Sequence, residues 1–132
     1  MNRINQQIDY WYKSALRSWQ IALVLFDSKH YDACLFFCHL AIEKLAKGLV
    51  IHQTKKEAPF IHDLNTLAQL AKIEFTKKQG DQLKIITTFN IAGRYSDAKY
   101  DFYKKCTRSY TQEYLKTSKE IFLWLKKEYQ KK

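Results

Sequence analysis

Turn chemistry is almost missing from this chain, which has three glycines and one proline in 132 residues. An all-β fold needs a breaker about every 8–12 residues, so this scarcity argues against one and favours a few long helices joined by short loops. Long apolar runs are missing too. The longest, Cys34 to Val50, is interrupted by His39, Glu43, Lys44 and Lys47, and a membrane span needs about 20 apolar residues in succession. The opening Met1-Asn2-Arg3-Ile4-Asn5-Gln6-Gln7 has no apolar stretch behind its basic residue, unlike a secretory signal. A cytoplasmic protein is the expectation. Cysteine is sparse and odd in number at three, which suits free thiols in a reducing compartment. Cys34, Cys38 and His39 are the one conceivable metal set. On a helix His39 lies about 100° from Cys38, so the three do not converge, and no metal or other cofactor is expected.

What is abundant is apolar and basic. Hydrophobic residues make up 46% of the chain and aromatics 15%. At this length, that is enough to build one core without staples. Ile4, Ile8, Trp11, Ala15, Trp19, Ala22 and Phe26 recur in steps of three and four, giving a first helix from about Ile4 to Phe26. A second helix, from about Tyr31 to Gln53, is apolar around most of its circumference, as a central bundle helix would be. Thr54 to Ile61 reads as a loop. Asp63 is a plausible N-cap for a third helix, and Thr76-Lys77-Lys78-Gln79 forms a capping box for a fourth. Arg94-Tyr95-Ser96-Asp97 reads as the end of that fourth helix followed by an ordered turn. A last helix then runs from about Lys104 to Tyr129, with Tyr110, Tyr114, Thr117, Ile121, Trp124 and Leu125 inward. The expected fold is all-α: a single domain over residues 1–132, an up-and-down bundle of four to five helices. No repeat or linker divides it.

The net charge is +10 and uneven: residues 99 to 132 carry ten Lys/Arg against four Asp/Glu. Such a basic third suits a polyanion, RNA, DNA or nucleotide, and is equally compatible with a solvated lysine-rich helix face. Three polar groups stand out against the apolar background. His39, Glu43 and Lys47 fall at i, i+4 and i+8 on the second helix, so they share one stripe. They form either an internal Glu43–Lys47 pair or a polar cleft or interface. Arg94-Tyr95-Ser96-Asp97 combines a phosphate-matching guanidinium with a stacking ring. There, Arg94 could instead pair with Asp97 or Glu43 while Tyr95 packs. His62-Asp63 is the third group, with a simple helix cap as its plainer role.

Taken in order, Tyr31-Asp32-Ala33, His39-Leu40-Ala41-Ile42-Glu43-Lys44-Leu45-Ala46-Lys47, Pro59, His62-Asp63-Leu64, Phe89-Asn90 and Arg94-Tyr95-Ser96-Asp97 resemble the HEPN domain family from about Ile8 to Leu125. Trp124-Leu125 on the last helix fits as well. The resemblance implies a small helical bundle, a homodimer, and a genomic or physical association with a minimal nucleotidyltransferase in toxin–antitoxin, defence or RNA-processing systems. HEPN ribonucleases carry an arginine followed, after four to six intervening residues, by a histidine. Arg94 is followed by Tyr-Ser-Asp-Ala-Lys-Tyr-Asp, and Arg3, Arg17 and Arg108 also lack that histidine. The expectation is therefore a non-catalytic module that binds nucleotide or RNA through Arg94, Tyr95 and Asp97, with His39, Glu43, Lys47 and His62 lining or bracing the cleft. A ribonuclease with a degenerate motif and a purely structural dimer are the alternatives.

Overall fold

The computed structural model describes residues 2–132. Six helices follow one another: α1 (Arg3–Asp27), α2 (Tyr31–Thr54), α3 (Leu64–Leu70), α4 (Lys77–Thr87), α5 (Ser96–Lys105) and α6 (Arg108–Gln130), with no strand among the described residues. The all-α bundle is as expected, with helices one or two more than the sequence periodicity suggested. No helix among the described residues is long and apolar enough to cross a membrane.

α2 is central because it is apolar on nearly every side. Leu35, Ile42, Leu45, Leu49 and Ile51 are fully buried on it, each contributing about 1.5–3 kcal/mol of hydrophobic stabilisation. It packs against α1, α3, α4, α5 and α6. α1 folds back along it after a tight turn, and α6 lies beside both. Arg108, at the start of α6, sits over the Phe26 ring near the end of α1; Phe122 stacks on Trp19 at 4.9 Å; Tyr129 meets Tyr12. The three contacts run in opposite order along the two helices, so α6 is antiparallel to α1 and parallel to α2.

The shortage of glycine shows at the helix ends. α1 and α3 close with backbone N–H groups turned back onto the last carbonyls: Lys29 to Phe26 and His30 to Leu25, then Lys72 to Gln69 and Ile73 to Ala68. This closure needs one residue in the left-handed region, usually glycine. Here lysines take it, at φ 66° for Lys29 and 55° for Lys72, and Lys55 ends α2 at 60°. Helix starts follow the sequence cues more closely. Asp63 accepts the Thr66 N–H, and Thr76 and Gln79 complete a reciprocal capping box.

The stretch from Thr88 to Thr107 departs from expectation. α4 ends at Thr87, and Arg94-Tyr95 is not a helix end but the approach to α5. α5 forms because Ala98 and Phe102 fall one turn apart, and the Phe102 ring packs 5.8 Å from Phe89. The long last helix is also divided. Thr107 takes an extended conformation and accepts the Tyr110 N–H, restarting the helix as α6. Its buried stripe is Thr111, Ser118, Ile121, Phe122, Leu125 and Glu128, while Tyr110, Tyr114, Thr117 and Trp124 lie half-buried on its flank.

Candidate functional site

The i, i+4, i+8 spacing on α2 does bring His39, Glu43 and Lys47 together, and all three are buried, at 0%, 5% and 6% exposure. The Glu43 carboxylate is held from two sides. Lys47 Nζ lies 3.0 Å from Oε2, and His62 Nδ1, from the loop before α3, lies 3.0 Å from Oε1. His39 Nε2 donates to the His62 carbonyl at 3.1 Å and lies 3.6 Å from Glu43 Oε1. With its proton on Nε2, the ring's Nδ1 is a buried acceptor without a hydrogen-bond partner. Burial lowers the His39 pKa, outweighing the upward pull of Glu43, so the neutral ring is the form the site accommodates.

Lys47 finishes the arrangement by placing its ammonium 5.5 Å from the centre of the Trp11 ring. Lys47 and Trp11 also line a small cavity of about 220 Å³ with Gln7, Pro59 and Phe60. His62 keeps its side chain more than half exposed and is the outer member of the network. The pairing of Glu43 with Lys47 was legible from spacing. That of Glu43 with His62, 19 residues apart, was not, because only the tertiary fold brings the loop over α2. Lys44 turns away to the α1 side and donates to Ser18 Oγ at 2.9 Å. There Arg17, Lys44, Tyr10 and Phe37 line a wider groove of about 620 Å³.

The second group is built on the α4–α5 connection. Arg94 pairs with neither Asp97 nor Glu43. Its guanidinium donates to the Thr88 carbonyl, and Tyr95 does not pack but stands exposed at the start of α5. Arg94 lines a cavity of about 350 Å³ with Thr88, Ala98, Asp101, Phe102, Lys105 and Tyr110. Burial pushes the Tyr110 phenol up to about 12, so the hydroxyl stays a donor at neutral pH. Asp97 is exposed in the first turn of α5, where a carboxylate suits the helix dipole. Asp101, Lys105 and Tyr110 are the residues sequence reading missed. Ala98, Asp101 and Lys105 are a helical stripe, legible only once α5 is given its proper bounds.

Among the described residues no hydrogen bond or ion pair joins Arg94, Tyr95 or Asp97 to the His39–Glu43–Lys47–His62 network. Their supporting loops do meet. Thr87 Oγ1 accepts the Leu64 N–H at 3.1 Å, tying the end of α4 to the residue after His62-Asp63. No group of three His, Cys, Asp or Glu side chains among the described residues is arranged to hold a metal ion. The three cysteines are free and buried.

A family model described as HEPN domain matches residues 8–129. Among solved structures, TT1696 from Thermus thermophilus is similar with a TM-score of 0.72 and 20% identity, over 96% of this chain and 98% of that one. ST0689, described as an archaeal HEPN homologue, is similar with a TM-score of 0.63 and 21% identity, over 97% and 98%. No curated protein sequence matches.

Proposed function

This chain belongs to the HEPN domain family, and from that premise we propose that it is a non-catalytic module that binds the phosphate of a nucleotide or RNA and acts with a partner protein. The observation that carries the reading is Arg94. It lines a cavity beside Lys105 and Tyr110, with no ion pair to an acidic side chain of the described residues. A guanidinium so placed offers paired donors to a phosphate. The positions where a HEPN ribonuclease would carry its histidine hold Lys99, Tyr100 and Asp101 instead. None supplies an imidazole for general acid–base cleavage at neutral pH.

In this reading His39, Glu43, Lys47 and His62 brace the cleft rather than touch the ligand, since Glu43 is already engaged by two cationic or donor groups. Homodimerisation, and a nucleotidyltransferase partner in a toxin–antitoxin or defence setting, are proposed on the habits of the family. The test incubates end-labelled RNA with purified protein in EDTA, divided between native and denaturing gels. The expected result is a shift without cleavage, weakened about tenfold or more by Arg94→Ala, as loss of a charged hydrogen bond would do. Cleavage abolished by the same substitution would overturn the non-catalytic part. Absence of both shift and cleavage would remove RNA as the ligand.

A further inference from the structure

α5 buries Phe102 and turns its opposite side to solvent. On that outer side Ser96, Lys99, Tyr100, Tyr103 and Lys104 fall within an arc of about 140°. Tyrosine is the surprise. Tyr100 is 59% exposed, Tyr103 60%, and Tyr95, at the head of the same helix, 90%. The Tyr100 and Tyr103 rings lie nearly parallel, 20° apart in plane with centroids at 6.3 Å, and the Lys104 ammonium sits 4.9 Å from the Tyr100 centroid. Tyr103 and Lys104 also line a cavity of about 330 Å³ with Lys29, Tyr31 and Asp32. From Arg94 to Arg108 the chain has five basic residues and two acidic, Asp97 and Asp101. Both acids sit to one side of the tyrosine arc.

Aromatic rings left in water on a helix that already has a buried face do nothing for the core. Cations interleaved with them make the surface unattractive to an apolar or basic protein face. The same combination is what a single-stranded nucleic acid needs: rings that accept unpaired bases whatever their sequence, and ammonium groups that follow the backbone. From Ser96 to Lys104 this outer arc rises about 12 Å, the span of three to four stacked nucleotides at about 3.4 Å each.

We infer that the outer face of α5 is a stacking platform for unpaired bases, with Tyr100 and Tyr103 as the rings and Lys99 and Lys104 as the backbone contacts, so that the ligand is single-stranded nucleic acid. This rests on the phosphate-binding role given to Arg94 and specifies its ligand. A platform of stacked rings makes no use of the sugar, so RNA and DNA single strands share the chemistry, whereas a duplex hides its base faces.

The test is fluorescence anisotropy with labelled oligo-uridine, oligo-thymidine and a duplex, each of about 12 nucleotides, within the site size of such surfaces. The proteins compared are the wild type, Arg94→Ala, and Tyr100→Leu with Tyr103→Leu. Leucine keeps apolar bulk and helix propensity while removing the ring, and an unchanged thermal melt confirms the fold. Both single strands should bind more tightly than the duplex, and the tyrosine variant should lose roughly tenfold per ring on single strands only. A tyrosine variant that binds normally while Arg94→Ala does not would overturn the platform and leave the phosphate site standing. Binding by no variant to any oligonucleotide overturns both. If the tyrosine variant instead loses self-association in sedimentation and keeps its affinity for single strands, the face is a contact between copies and the inference is wrong.

Discussion

A carboxylate with 5% exposure, as at Glu43, is tolerated only because two donors meet it and a second imidazole, that of His39, stands behind. Lys47 and His62 each lie 3.0 Å away, and desolvation makes such pairs costly to break from one side. Glu43→Gln should therefore destabilise the protein by about 3 kcal/mol, at the low end for a broken buried pair, because glutamine can still bond His62 and the Trp11 ring still faces the ammonium. Glu43→Gln combined with Lys47→Met should regain at least half of that loss, since no buried charge is then left unpaired. Urea midpoints of the three proteins decide it. A single substitution costing under about 1 kcal/mol would mean that water already reaches the pair.

Between elements, a close fit joins α2 to α6 at Gly48. A methyl group at Gly48 would clash with the Tyr129 hydroxyl, and that hydroxyl donates to the Leu45 carbonyl at 2.7 Å. Burial holds the Tyr129 phenol well above its usual pKa, so it remains a donor. Gly48→Ala would ordinarily stabilise a helix interior by about 1 kcal/mol. Here it should destabilise by about 1–3 kcal/mol through overpacking and the displaced hydroxyl. With Tyr129→Phe in the background the clash is largely gone, and Gly48→Ala should become neutral or favourable. Thermal melts of the four proteins form the cycle, and equal effects in both backgrounds would show that the contact is not where the strain lies. Such a contact leaves no trace in local pattern. Periodicity exposed α1 and α2, and side-chain caps exposed α3 and α4, because those signals sit within a few residues of what they specify. The break between α5 and α6 has no glycine or proline to announce it, only Thr107 acting as a cap. The inward stripe expected for the last helix holds in part: Ile121 and Leu125 are buried, and Tyr110, Tyr114 and Trp124 pack half-buried against the core. The site was legible in the same partial way. His39, Glu43 and Lys47 could be grouped from spacing, whereas Lys105 and Tyr110 joined Arg94 only through folding.

For the molecule as a whole, a net charge of +10 acts on a polyanion before any contact is made, and acts the same on every sequence. Its uneven distribution separates two contributions to binding. Lys119 and Lys127 on α6 are exposed and make no ion pair among the described residues, so they add to the field without belonging to α5. Reversing both, Lys119→Glu with Lys127→Glu, should leave stability within about 0.5 kcal/mol. The same change should lower affinity for single strands and duplex alike, with the preference for single strands intact. Arg94→Ala should in addition flatten the dependence of log affinity on log salt by about one unit, the signature of one lost phosphate contact. Anisotropy titrations from about 50 to 200 mM salt read both quantities. A charge reversal that abolished the single-strand preference would place base recognition on α6 rather than on the tyrosines. One that changed nothing would confine the polyanion to the short helix between Arg94 and Arg108.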